Sequence, residues 1–247
     1  NKGYLFWKIS IFIISLIISL PIFSIGFSVF EPYNENWYHL IDTILSEYIL
    51  NSLILLIGVG VGTLLLGVST AWITSMCEFP GKKLFIWLLL LPMAMPAYII
   101  AYTYTGMLDF AGPIQTSFRN YTGLGINDYY FPQIRSIGGA IIMLSLVLYP
   151  YVFLLTRSTF LEQSVGIFEV SRTMNSGPWR VFSKVAIPLA RPAIVAGLSL
   201  ALMETLADYG TVSYFGINVF TTGIFRTWYG LGDYVSATKM AAMLLFF

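Results

Sequence analysis

The sequence predicts an all-α, polytopic transmembrane helix bundle, and three observations carry that expectation. Of its 247 residues, 57% are hydrophobic and 10% are charged, against about a quarter charged in an ordinary soluble domain. No charge falls between Glu47 and Glu78, between Lys83 and Asp109, or between Arg135 and Arg157, and each gap is long enough to supply the roughly 20 apolar residues that cross a bilayer. The basic residues also gather on alternate connections, as they do when lysine and arginine are retained on the cytoplasmic side.

The first apolar run, 5–30, follows Lys2 and Lys8 and superficially resembles a secretory leader. It is too long for a leader core and has no small-residue cleavage site, so it reads as a membrane anchor. The three uncharged gaps supply the second, third and fourth spans. A fifth starts near Pro192 and must include Glu204 to be long enough, and a sixth begins near Val235. The chain opens at Asn1 rather than methionine and stops at Phe247 within "MAAMLLFF". It is therefore expected to be a fragment with five complete spans and a truncated sixth.

One side of this arrangement holds Lys2, Lys8, Lys82, Lys83, Arg157, Arg172, Arg180, Lys184 and Arg191; the other holds Arg119, Arg135 and Arg226. The amino terminus and the connector 157–191 are thus expected to be cytoplasmic, and the loops 31–47 and 109–135 to face outward. The near-neutral net charge of +1 gives no reason to propose a nucleic-acid partner, and the single cysteine, Cys77, cannot form an intrachain disulfide.

Inside the spans, "GVGVGTLLLG" at 58–67 lies within an apolar run and misses the dinucleotide-loop spacing; Gly58 and Gly62, at small-xxx-small spacing, more simply allow close helix approach. "LPMAMPAY" puts Pro92 and Pro96 one turn apart in the third span, which should kink it and free backbone carbonyls, either for packing or along a pathway. "LMETLADYG" sets Glu204 and Asp208 at i and i+4, on one helix face. Intramembrane acids are costly, so these two are candidates for a pathway or for bonds between helices, unless they mark only the wetter end of the span.

An enzyme is not indicated. His39 and Cys77 are far apart and on opposite expected sides, so metal-ligand and Cys/His nucleophile patterns are lacking. "PGKK" at 80–83 has neither the upstream glycine nor the following hydroxyl of a nucleotide loop. Any ATPase is expected on a separate chain, and this chain is expected to bind no cofactor or metal of its own.

The connector is polar, basic and helix-patterned. Ile167, Val170 and Met174 form an apolar stripe, Glu169 and Arg172 pair at i, i+3, and Ser164 suits an N-cap. Asn175 tolerates the left-handed conformation that ends a helix. "SGPW" then restarts one, with Gly177 as an acceptable cap and Pro178 at the first helical position. Val181, Phe182, Val185 and Ala186 make the next apolar face, Arg180 and Lys184 lie together on another, and Pro188 is expected to stop that helix. A solvated loop with one interfacial helix would need no corner. Two helices joined at Asn175 make a shaped knob for a soluble partner.

Glu169, Asn175, Val185 and Pro188 in "EVSRTMNSGPWRVFSKVAIP" resemble the Glu-Ala-Ala cytoplasmic loop of binding-protein-dependent ABC importer permeases. Val170 and Ser171 replace its two alanines, and Asn175 replaces its glycine. Longer stretches, including "LLLLPMAMPAYIIAYTYTGMLDFAGPIQT", "LVLYPYVFL" and the region 188–233, are similar to the amino-terminal half of ferric iron importer permeases. The resemblance implies a type I ABC importer permease fold in the bacterial inner membrane. It also implies a periplasmic substrate-binding protein outside, a second permease half fused or separate, and a cytoplasmic ABC ATPase dimer holding ATP and magnesium. Glu169, Arg172, Asn175, Gly177 and Pro178 would grip that ATPase. The rival reading is a secondary transporter or channel in which Glu204 and Asp208 bind protons or cations.

Overall fold

The computed structural model describes residues 2–32, 34–125, 128–162 and 177–246, which contain helices and no strand. The chain divides into two compact units, 1–50 with 218–247, and 51–217. Among the described residues, four helices are long and apolar enough to cross a membrane: Tyr4–Phe30, Leu45–Met76, Ile137–Glu162 and Trp179–Ala207. A fifth span is available if the bent pair Lys82–Ala94 and Ala97–Thr122 counts as one.

In the first unit, α1 (Lys2–Phe27) is an apolar rod with none of its hydrophobic window buried. A single 3₁₀ turn, Ser28–Phe30, leads to α2 (Glu35–Thr43), an amphipathic helix capped by Asn34, whose side chain accepts from the Trp37 amide. Next come the start of α3 (Leu45–Met76) and, near the chain's end, α11 (Phe220–Phe225) and α12 (Tyr234–Leu244). Trp37, Leu40, Leu45, Tyr48, Phe220 and Met240 bury one another as this unit's core.

The unit's polar groups form a clasp. Asp233 caps α12 by accepting from the Ser236 amide at 3.0 Å. The same carboxylate accepts from Asn34 at 2.7 Å and from Asn36 at 3.1 Å. Lys239, only 2% exposed, donates to the carbonyls of Glu31 at 2.8 Å and Pro32 at 3.3 Å. Its ammonium also lies 5.6 Å from the centroid of the Trp37 ring, an attraction strengthened by exclusion of water.

The second unit is organised around α7 (Ile137–Glu162), whose hydrophobic window is the most buried of the four. The remainder of α3 packs against it through the glycines singled out in the sequence. A Cβ on Gly58 would stand 2.6 Å from Ile141 Cδ1, and one on Gly62 would collide with the Ser145 side chain. Hydroxyls along α3 fold back onto their own helix, Thr63 onto Val59 and Thr74 onto Thr70, which satisfies them without a partner helix. On the other flank α9 (Ile187–Ala207) presents Gly197, where a Cβ would come within 2.7 Å of the Val152 Cα. Small residues thus let backbones approach where packing, rather than water exclusion, holds helices together.

The third span breaks where its prolines lie. The helix α4 (Lys82–Leu90) starts at Gly81, whose φ of 80° explains the glycine in "PGKK". It passes into a 3₁₀ turn at Leu91–Ala94, the chain extends at Met95, and α5 (Ala97–Leu108) begins after Pro96. The two halves meet at 103°. Proline cannot donate the bond that would continue the helix and crowds the carbonyl one turn back. After α5, α6 (Pro113–Thr122) closes the bent segment.

One expectation fails here. Pro188 does not stop the connector helix: α8 (Pro178–Val181) runs through a π turn, Phe182–Ala186, directly into α9. The wider turn lets the Ile187 amide reach the Phe182 carbonyl, so the irregular hydrogen bonding that proline demands is absorbed without ending the helix.

Candidate functional site

Three groups of residues were expected to carry function: the connector, the acids of the fifth span and the prolines of the third. In the connector, Glu169, Arg172 and Asn175 lie outside the described residues. Gly177 is exposed and Pro178 opens α8, with the Arg180 and Val181 amides bonding back to the Gly177 carbonyl at 2.9 and 3.1 Å. The helix therefore restarts where the Gly-Pro pair places it. Val181 and Ala186 are buried and Phe182 and Val185 half-buried, while Trp179, Arg180 and Lys184 are exposed. One side of the segment is seated on the bundle and the other is exposed.

The inner side is aromatic. Phe182 lies against Trp72 of α3, ring centroids 5.0 Å apart, and Trp72 meets Phe160 of α7 edge-on at 5.6 Å. Around them Ala71, Tyr149, Phe153, Ala186 and Ala190 are buried in the same cluster.

The two acids lie at the end of α9. Its last residue is Ala207, and Asp208 is the C-cap with φ −67° and ψ 121°, so the chain leaves the helix only after Asp208 and the i, i+4 pair still lies on one side of it. The Asp208 carboxylate turns forward: it accepts from the amides of Thr211 at 3.0 Å and Val212 at 3.1 Å, and from the Thr211 hydroxyl at 3.0 Å. An aspartate that caps the next helix, α10 (Gly210–Tyr214), cannot also continue the previous one. Glu204 remains on α9 and is exposed.

Pro96 leads into α5 and Asp208 precedes α10, and it is these two helices that wall one cleft. The helix α10 packs on α5, so closely that a Cβ on Gly210 would stand 2.9 Å from Tyr98 Cβ. Between them lies a cavity of about 390 Å³ lined by Tyr98, Ile99, Tyr102, Tyr209, Ser213 and Tyr214. Arg135 covers Tyr214, its guanidinium carbon 5.1 Å from the ring centroid and an Nη2 bond of 3.3 Å reaching the hydroxyl. The sequence showed the tyrosines but gave no reason to group them; Arg135 and Tyr214 are 79 positions apart.

Pro92 is half-buried and Pro96 exposed. The break between them does free a carbonyl: Leu89 accepts from the Tyr149 hydroxyl of α7 at 2.7 Å. Lys239 was overlooked, although a lone cation in an apolar run is itself a signal. Among the described residues no three of His, Cys, Asp and Glu gather as a metal site.

A bundle of apolar helices with one broken span, a tyrosine-lined cleft beside the break and an amphipathic connector seated by one face defines a multi-pass membrane-transport domain. Residues 63–247 match the family described as "Binding-protein-dependent transport system inner membrane component", and the chain belongs to that family. It is 29% identical over 153 residues to the molybdenum transport system permease protein ModB of Escherichia coli (strain K12), covering 62% of this chain and 64% of ModB. It is 23% identical over 201 residues to the Fe(3+)-transport system permease protein FbpB 2 of Haemophilus influenzae, covering 81% of this chain and 35% of that protein. The chain thus spans less than two thirds of the length of either relative. In fold it is similar to a chain of the bacterial alginate ABC transporter crystallised with an alginate pentasaccharide-bound periplasmic protein. There the TM-score is 0.72 at 17% identity, over 99% of this chain and 93% of the other.

Proposed function

We propose that this chain is the transmembrane permease domain of an ATP-driven ABC importer and is not itself an enzyme. In this reading a periplasmic binding protein delivers cargo to the outward loops. A second permease half, fused or separate, completes the pathway. A cytoplasmic ATPase dimer, carrying ATP and magnesium, grips the connector within 157–191 at Glu169, Arg172, Asn175, Gly177 and Pro178. The amino terminus is cytoplasmic. The observation that carries the reading is the connector's two-sidedness: its apolar face is seated against α3 and α7, while Trp179, at 76% exposure, Arg180 and Lys184 stay open.

Asp208 and Pro96, which precede the two helices that wall the tyrosine cleft, and Pro92 and Glu204 are proposed to belong to the pathway or to bonds between spans. Glu204 fits a face covered by the second half, because an acid turned to lipid is costly. Ferric iron is the proposed cargo. The FbpB 2 match supports it by running over 81% of this chain, and the molybdenum relative makes molybdate the competing cargo to test.

The experiment uses the full permease, its ATPase and the binding protein in vesicles. ATP-dependent uptake of radioactive ferric iron, with an ATPase that co-purifies with wild type but not with a scrambled-connector variant, is the expected result. Uptake of molybdate instead would replace the cargo alone. Uptake that follows a proton gradient without ATP would overturn the importer in favour of a secondary transporter.

A further inference from the structure

The last part of the connector carries an aromatic stack that the coupling residues do not account for. Trp179 and Phe182 are 5.4 Å apart, Phe182 and Trp72 are 5.0 Å apart, and Trp72 and Phe160 are 5.6 Å apart with their planes at 82°. Exposure falls along the series, from 76% at Trp179 to 1% at Phe160. The stack therefore starts at the surface beside Gly177 and ends in the core between α3, α7 and α9.

Phe182 has a second property. It opens the π turn, and its carbonyl takes the Ile187 amide just ahead of Pro188, which has no amide to give. A π turn is a weak point of a helix and often a functional one, so displacement of α8 is poorly conveyed along the backbone into α9. A close-packed ring contact conveys it better, because protein interiors are dense and compress little.

We propose that Trp72 is the positioning residue that receives connector movement: Phe182 presses on Trp72, and Trp72 passes the displacement to α3 and, through Phe160, to α7. The inference rests on the connector being the ATPase grip. It assigns to one side chain the step between gripping and span movement. Trp72 touches neither ATPase nor cargo in this scheme and acts only through its neighbours.

The test measures ATP hydrolysis and radioactive ferric iron uptake in the same vesicles containing the whole transporter and binding protein, with molybdate as probe if iron is not carried. Trp72→Ala is expected to leave the ATPase bound and basal hydrolysis within about twofold of wild type, while cargo moved per ATP falls by about tenfold, within the range by which single residues change coupling. Trp72→Phe should restore most of the ratio. Phe182→Leu, at a half-buried site less prone to misfolding, should lower it in the same way. The Trp72→Ala, Phe182→Leu double variant should be no worse than the worse single one, as expected for residues on one path. A wild-type ratio in Trp72→Ala, a Trp72→Phe variant as poor as Trp72→Ala, multiplied losses in the double variant, or release of the ATPase by Trp72→Ala would each overturn the proposal. If the scrambled connector still holds the ATPase, the grip itself is wrong, a result distinct from any of these.

Discussion

Asn34 and Asp233 each cap a different helix and are bonded to each other. Asn34 Nδ2 donates to Asp233 Oδ2 at 2.7 Å, while Asn34 Oδ1 accepts from the Trp37 amide at 2.9 Å and Asp233 Oδ1 from the Ser236 amide at 3.0 Å. Losing a cap costs about 1 kcal/mol. Asn34→Ala and Asp233→Ala are therefore each expected to destabilise by about 1–2 kcal/mol. Thermal unfolding of the detergent-purified protein should show a coupling of at least about 0.5 kcal/mol between them. Strictly additive losses would mean that the caps act separately.

The same pair gives a pH dependence. Burial alone raises the Asp233 pKa, but hydrogen bonds from the Ser236 amide and hydroxyl and from Asn36 and Asn34 outweigh it and hold the carboxyl below its ordinary range. A carboxylate with a lowered folded value contributes fully above its unfolded value, near pH 4, and loses that contribution as pH falls through the folded one. Melting temperature is thus expected to fall with acid below about pH 4, and Asp233→Asn should flatten that part of the profile. An unchanged profile in the variant would assign the acid sensitivity to other groups.

Tyr149 should matter for its hydroxyl. It satisfies the Leu89 carbonyl at the broken span, where the 3₁₀ turn and prolines replace the regular helical ladder. Tyr149→Phe keeps the ring and leaves that acceptor unpaired, at a cost of about 1–3 kcal/mol. Faster hydrogen exchange across the break at 91–96 should accompany the loss. Unaltered stability and exchange would show that another donor takes over.

The glycines of α3 are not equivalent. A Cβ at Gly62 collides with Ser145, whereas one at Gly60 meets Leu202 Cδ2 at 3.4 Å, near ordinary contact. Gly62→Val is expected to destabilise by about 1–3 kcal/mol through overpacking, and Gly60→Ala to be nearly neutral. Equal effects in unfolding experiments would contradict the close α3–α7 approach.

Under the left-handed corner proposed for the connector, Asn175→Gly should keep the ATPase bound, since glycine accepts that conformation freely, and Asn175→Val should release it, since a β-branched residue resists it. Co-purification reads the outcome directly. Binding retained by Asn175→Val would remove the corner from the coupling scheme.

Much of the bundle was legible because its signals are local. Uncharged gaps marked the spans, Pro92 and Pro96 the break, Gly58 and Gly62 the close approach, and Gly177 with Pro178 the restart. One misreading came from applying a sound local rule where a neighbouring irregularity overrides it: Pro188 would stop a regular helix, but the π turn before it supplies the slack. The i, i+4 spacing of Glu204 and Asp208 did not reveal that the Asp208 carboxylate bonds forward to Thr211 and Val212. Lys239 finds its acceptors at positions 207 and 208 residues away, and Trp72 meets rings from two other helices. No local pattern encodes such pairings.

The π turn at Phe182–Ala186 also fixes a rotational register. One extra residue in a helical turn changes the azimuth of everything after it by about 100° relative to an uninterrupted helix. Glu204 and the small residues of α9 therefore point where they do because of a single residue near the end of the connector. Deleting one position there would leave hydropathy and composition almost untouched, yet would turn the far end of the span to a different neighbour.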